Sequence, residues 1–177
     1  MDNREINRRI RQLLRTVLGL SENYVRPANQ NAPTGSMDDP FATVLIVDYS
    51  PTGHDSKREA DGVLPNDIIE TQEGQRLILA SVQFFRADAM TLAQRLPAAL
   101  RTSAAIALMQ ELGLGLVRLS SIRDLATVVN TLYEERAQLD IQFHLVAQEA
   151  VTLPTYGTFP VSFDVTPTNQ AFEVQEP

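Results

Sequence analysis

The chain has 177 residues, 44% of them hydrophobic and 21% charged, which is ordinary globular usage and enough length for one buried core, so it is neither a disordered nor a fibrous sequence. It contains no cysteine, which excludes disulfides, thiolate catalysis and thiolate metal sites and suits a protein assembled in a reducing cytoplasm. A net charge of −7 argues against the basic surface with which most nucleic-acid binders neutralise phosphates.

Charge is unevenly spread. Met1 to Leu20 holds five arginines against Asp2 and Glu5, Asp38 to Glu70 holds eight acids against Lys57 and Arg58, and Gln148 to Pro177 holds four acids and no base. Such asymmetry is the usual look of solvated surface, and in a self-assembling protein it lets a basic face on one copy meet an acidic face on another. Fourteen of the fifteen basic residues are arginine, which suits interfaces and is equally explained by nucleotide bias in the genome.

In chain order, Asp2 or Asn3 caps a helix whose apolar positions Ile6, Ile10, Leu13, Leu14 and Val17 share one face and which Gly19 ends; Arg4, Arg8, Arg11 and Arg15 lie on its other face. Charge alternates with aliphatics from Met1 to Arg15, so the start reads as neither a secretory signal nor a membrane span, and a soluble, unexported protein is expected. Arg26 to Pro40, with three prolines around Asn-Gln-Asn-Ala-Pro-Thr-Gly, reads as an extended arm, with Arg26, Pro27, Asn29, Gln30, Asn31 and Pro33 as candidate assembly residues. Phe41 to Tyr49, FATVLIVDY, has the continuous apolar character of a central strand buried on both faces.

Pro51 to Pro65 reads as a polar loop, spanning 51–66 with its flank. Asp67–Thr71 and Arg76–Arg86 read as two strands joined across a turn at Glu73-Gly74-Gln75. A helix capped by Asp88 is expected to run to about Leu112, with Leu92, Leu96, Leu100, Ala104, Leu108 and Leu112 on one stripe and a kink or break at Pro97. Leu116 to Leu119 returns as a short strand, and Ser120 to Thr131 fits either a short helix or a strand.

The clearest pattern follows. Ala137, Leu139, Ile141, Phe143, Leu145 and Ala147 alternate with Arg136, Gln138, Asp140, Gln142 and His144, the mark of a long strand with one wet face. Asp140 and Gln142, outside the core, should accept lysine without loss of the fold. Thr152 to Pro177, with a short strand at Val161–Val165, reads as a C-terminal tail. The whole is a single α+β domain, two helices on a mainly antiparallel sheet.

Chemistry is sparse. His54, Asp55 and Ser56 are adjacent on one segment, and adjacency does not converge side chains as a triad requires. Asp48, Ser50, Thr52, Gly53 and Glu59 fall at calcium-loop positions, but they follow a strand and enclose Pro51. Gly113-Leu114-Gly115 ends a helix and lacks the third glycine of a dinucleotide loop. His144 has no further ligands beside it and reads as a sheet-surface residue. No catalytic residue, cofactor or metal is expected.

The stretch IRQLLRTVLGLSENYVRPANQNAP, Ile10 to Pro33, followed by FATVLIVDY, resembles the opening of the neck and tail-terminator (tail completion) family of long contractile-tailed bacteriophages. YEERAQLDIQFHLVA, Tyr133 to Ala147, is similar to that family's long amphipathic strand. The resemblance implies a structural virion protein, not an enzyme. It would assemble in the host cytoplasm into a homo-oligomeric ring, expected as a hexamer, that caps the tail tube, docks the head–tail connector or a head-completion protein, with or without sheath contact, and lets DNA through a central channel without binding it specifically. The wet strand face, Arg136, Gln138, Asp140, Gln142 and His144, would then line that channel or a subunit interface. Two other readings are compatible with the same residues. One is a different virion adaptor, such as a head-completion or baseplate protein. The other is a small hydrolase or ligand-binding protein with a pocket under the second helix.

Overall fold

Helix α1 (Asn3–Leu18) begins where the Asp2 carboxylate accepts the Arg4 amide at 3.3 Å and ends where Gly19 turns left-handed at φ 68°. Ile6, Ile10, Leu13, Leu14 and Leu18 are buried along one stripe. The opposite face is laced by ion pairs: Glu5 with Arg8 and Arg9, and Arg15 with Glu22. Arg9 also donates to the Leu112 carbonyl at 2.9 Å, which ties this helix to the end of a later one.

The computed structural model describes residues 2–28, 39–61, 67–129 and 132–154. After a single 3₁₀ turn (Glu22–Tyr24), β1 (Val25–Pro27) pairs in parallel with residues 42–44 of β2 (Phe41–Asp61). β3 (Asp67–Phe85) runs antiparallel to β2. Helices α2 (Ala89–Ala99) and α3 (Ser103–Glu111) follow, then β4 (Gly115–Leu119), β5 (Arg123–Asp124) and a small hairpin of β6 (Thr127–Val129) with β7 (Leu132–Glu134). β8 (Arg136–Pro154) closes the order β1-β2-β3-β8-β4, with β5 also on β8.

The core lies between the helices and one face of this sheet. Ala42 and Val44 of β2, Ile78, Ala80, Val82 and Phe84 of β3, and Ala137 to Leu145 at alternate positions of β8 join the apolar stripes of α1 and α2 in one buried cluster. The α+β reading, the first helix, the Leu116–Leu119 strand and the alternation on β8 agree with the sequence.

Several boundaries differ, each for a physical reason. Residues 51–61 are not a loop: β2 continues through them, paired with β3 as far as Asp61↔Ile68. Nor do Glu73, Gly74 and Gln75 turn the chain, because β3 is one strand of 19 residues. Instead Thr52↔Gln75 and Ser56↔Glu73 leave Gly53, His54 and Asp55 bulged out opposite Gly74. Asp55 folds back to grip Arg76 at 2.6 and 2.7 Å, across the space a Gly74 side chain would need. Glycine is therefore required by this crossing ion pair and not by a turn.

The expected long helix is two. Pro97 is carried inside α2, and the break falls at Leu100–Thr102, where Thr102 caps α3 by accepting the Ala105 amide at 3.3 Å. Leu92, Leu96 and Leu100 are buried as expected, whereas α3 buries Ala105 and Met109 and leaves Ala104 exposed. Asp88 makes no side-chain cap and sits left-handed at φ 66°. Phe41–Tyr49 is not buried on both faces: Ala42 and Val44 are covered, while Val47 and Tyr49 are exposed. Arg26 and Pro27 belong to a strand and not to a free arm, and Thr152 to Pro154 finish β8 instead of starting a tail. Of Ser120 to Thr131, residues 123–124 and 127–129 are strand. Asn29, Gln30, Asn31, Pro33 and the Val161–Val165 strand lie outside the described residues.

The strands therefore outrun the helices. Beyond about Pro51, Arg76 and Leu145, the paired segments 51–61, 67–75 and 146–154 form a three-stranded ribbon, on which Val146, Val151 and Leu153 are exposed. Lys57 there bridges Glu59 (3.2 Å) and Glu70 (2.6 Å).

Candidate assembly surface

Because side chains alternate across a strand, burying Leu139, Ile141 and Phe143 against the helices commits Arg136, Gln138, Asp140, Gln142 and His144 to the opposite face. The structure places all five there. It adds their neighbours on β3, since Phe85, Gln83, Ser81, Leu79 and Leu77 stand opposite them in register.

Much of this face is already paired. Phe41 and Phe85 stack at 4.8 Å, and the Arg136 guanidinium lies 5.0 Å from the Phe85 ring centroid while donating to Gln83 Oε1 at 2.5 Å. Gln138 Nε2 donates to Ser81 Oγ (2.8 Å) and to Asp140 Oδ1 (3.0 Å), and Arg123 of β5 holds the other Asp140 oxygen. Ser120 donates its amide to the Asp140 carbonyl at 2.8 Å, and its hydroxyl accepts the Asp140 amide at 2.9 Å. A connected polar network fixes side-chain positions that a loose polar surface would leave mobile. Asp140 is thus a poor position for lysine, which would face Arg123. Gln142 and His144, half-buried further along the same strand, are outside that network.

The β3 partners of this row, Gln83 and Ser81 above all, were not singled out from the sequence. Their signal was present, since Ile78, Ala80, Val82 and Phe84 point inward and force the residues between them outward. Arg123 gave no signal, because its contact with Asp140 depends on a two-residue strand.

Of the arm residues, Arg26 donates to the Asn23 carbonyl at 2.8 Å and Pro27 pairs with Val44. Tyr24 donates to Asp39 at 2.7 Å, so the chain entering residues 29–38 is tied to the chain leaving them. A cleft of about 530 Å³ opens there between the end of α1 and α2, lined by Leu20, Tyr24, Asp39, Leu92 and Arg95 among others. Neither histidine borders it. His54 stands in the ribbon bulge, where Asp55 is occupied by Arg76, so no triad forms with Ser56. Asp48, Ser50 and Thr52 are spread along a strand with Glu59 beyond the bulge, which is not the wrapped geometry of a calcium loop. Among the described residues no three carboxylates or histidines gather as a metal site, and no helix is long and apolar enough to cross a membrane.

Residues 4–168 match the family model described as phage neck terminator protein. Among solved structures, the sheath/tube terminator of an extracellular contractile injection system (PVC, extended state) is similar over 97% of this chain at 10% identity, with a TM-score of 0.42; the chain spans 66% of that protein's length. A chain from the virion of a native gene transfer agent particle is similar over 76% of this chain and 84% of its own length, at 15% identity and a TM-score of 0.25. No curated protein matches the chain.

Proposed function

The chain belongs to the family of phage neck terminator proteins, structural components of the virion's neck and tail and not enzymes, and from this we propose that it forms a ring, of six copies, that caps the tail tube. The ring joins the tube to the head connector or a head-completion protein, stands beside the sheath where one is present, and passes DNA through its channel. The observation that carries the reading is the extent of the family match, which takes in both helical and sheet parts of the fold at residues 4–168.

The outward sheet face is the proposed channel wall. The polar character of its β8 row suits a surface that meets water and passing DNA, and the pairing of that row suits one that should not hold that DNA. Arg136 is committed to Gln83 and Phe85, and Arg123 to Asp140, so both cations are partly neutralised or engaged before a phosphate arrives. A net charge of −7 per copy adds a repulsive field.

The test is assembly without this protein. Particles lacking it should accumulate heads and tails that do not join, with tails of irregular length, and adding the purified protein should restore joining. Tails of normal length that join heads in its absence would overturn the reading.

A further inference from the structure

The ribbon formed by 51–61, 67–75 and 146–154 presents two sheet edges. On one side, β4 pairs with β8 only as far as His144, and from Leu145 to Leu153 no described strand covers the edge. On the other, β1 covers only residues 42–44 of β2, and no described strand pairs with Leu45 to Asp61 along that side. A long edge with unpaired amides and carbonyls is a template for another strand, and a narrow ribbon gains little stability alone. The β8 edge is the barer one. From Val146 to Leu153 its single charge is Glu149, it contains no proline, and Val146, Val151 and Leu153 are exposed.

Charge decides which edge fits it. Two β8 edges meeting about a two-fold axis near their centres would bring Glu149 against Glu149, an arrangement that like-charge repulsion disfavours. A β8 edge against a β2 edge instead sets Glu149 beside Lys57, because both stand level with Gln72 across β3. Lys57 is half exposed even while held by Glu59 and Glu70, so a third carboxylate can reach it. β2 and β8 run in the same direction, each antiparallel to β3. A copy rotated about an axis along the strands therefore lays its β2 parallel to this β8.

We propose that the β8 edge uncovered among the described residues, Leu145 to Leu153, is a docking seam for the β2 edge around Ser56 to Ala60 of a second copy, so that neighbouring ribbons join head-to-tail in one continuous sheet. Over Ser56 to Ala60 the seam would run about 17 Å at 3.3 Å per residue. It rests on the ring reading above and names the surface through which copies meet.

The chain has no cysteine, so cross-linking is clean. Within one copy, positions 57 and 149 are two strand spacings apart, roughly 9.6 Å, beyond the roughly 7 Å Cα limit of a disulfide. A Lys57→Cys, Glu149→Cys double variant, oxidised as free protein and in assembled tails, should lose its monomer band to a ladder of dimers, trimers and larger species on non-reducing gels. Each single variant should stay monomeric on the gel. An Arg58→Cys, Ala150→Cys pair, level with Thr71, repeats the test should the first pair disturb the fold. Absence of a ladder from both pairs in folded, assembled protein would overturn the seam, as would efficient dimerisation of either single variant. Protein that terminates tails without a ladder would remove the seam and leave the terminator reading; a ladder from protein that never joins tails would do the reverse.

Discussion

Replacing Phe143 with alanine, beside a matched Gln142→Ala, tests the sidedness of β8 on which the channel-wall proposal depends. Phe143 is fully buried under the helices, while its neighbour is half-buried on the outward face. A buried phenylalanine removes on the order of 150 Å² from water, which at about 25 cal/mol per Å² amounts to about 4 kcal/mol, and measured Phe→Ala losses run at about 3–5 kcal/mol. Since a domain is stable by only about 5–15 kcal/mol, the variant should survive with a much lower urea midpoint. Gln142→Ala removes no core atom and should stay within about 0.5 kcal/mol of the parent. The assay is urea unfolding followed by circular dichroism at one fixed protein concentration, because assembly itself adds stability. A Phe143→Ala loss below about 1 kcal/mol, or equal losses at the two positions, would refute the assigned faces.

Further outcomes follow from the same structure. Glu5, hydrogen-bonded by Arg8 and then Arg9, has its carboxyl pKa lowered to about 2. The folded value lies below the unfolded one, so this contribution is present above about pH 4.5 and is lost as pH falls toward 2; a carbon-detected NMR titration should show the low midpoint, and Glu5→Gln should remove that part of the acid sensitivity. Gly19→Ala forces a side chain into a left-handed cap and should cost about 1 kcal/mol in thermal or urea unfolding, with Gly19→Asn costing less. A Gln142→Lys, His144→Lys pair, chosen to spare the Asp140 network, should leave the unfolding midpoint nearly unchanged and slow DNA release from virions; unchanged release kinetics would count against the channel wall.

What the sequence revealed and what it hid divide along burial. Ile6, Ile10, Leu13 and Leu14 announce a helix because one face of it is buried, and Leu139, Ile141 and Phe143 announce a strand for the same reason. Residues 51–61 are equally extended, but neither face is covered, so nothing imposes alternation and the segment keeps the proline, glycine and charges of a loop. Gly74 misled in a similar way: its small size serves the Asp55–Arg76 ion pair crossing over it, and a lone glycine looks the same whether it frees a turn or makes room. The outward face was legible as a set of residues. Its hydrogen bonds were not, because Gln83, Ser81 and Arg123 reach it from strands distant in sequence.

The ladder between β3 and β8 runs through nineteen residue pairs from Phe85↔Arg136 to Asp67↔Pro154 without a register shift, whereas the one between β2 and β3 is interrupted at residues 46–48 and again at 52–56. Mechanically the ribbon is a beam clamped in the core, with one stiff rail and one jointed rail. Pulling along its tip loads the β3–β8 hydrogen bonds together in shear, and bending it concentrates curvature at the interruption of β2 at residues 52–56. A load applied at the tip is therefore delivered to the helix-covered half of the sheet through β8, the strand that also carries the outward polar row.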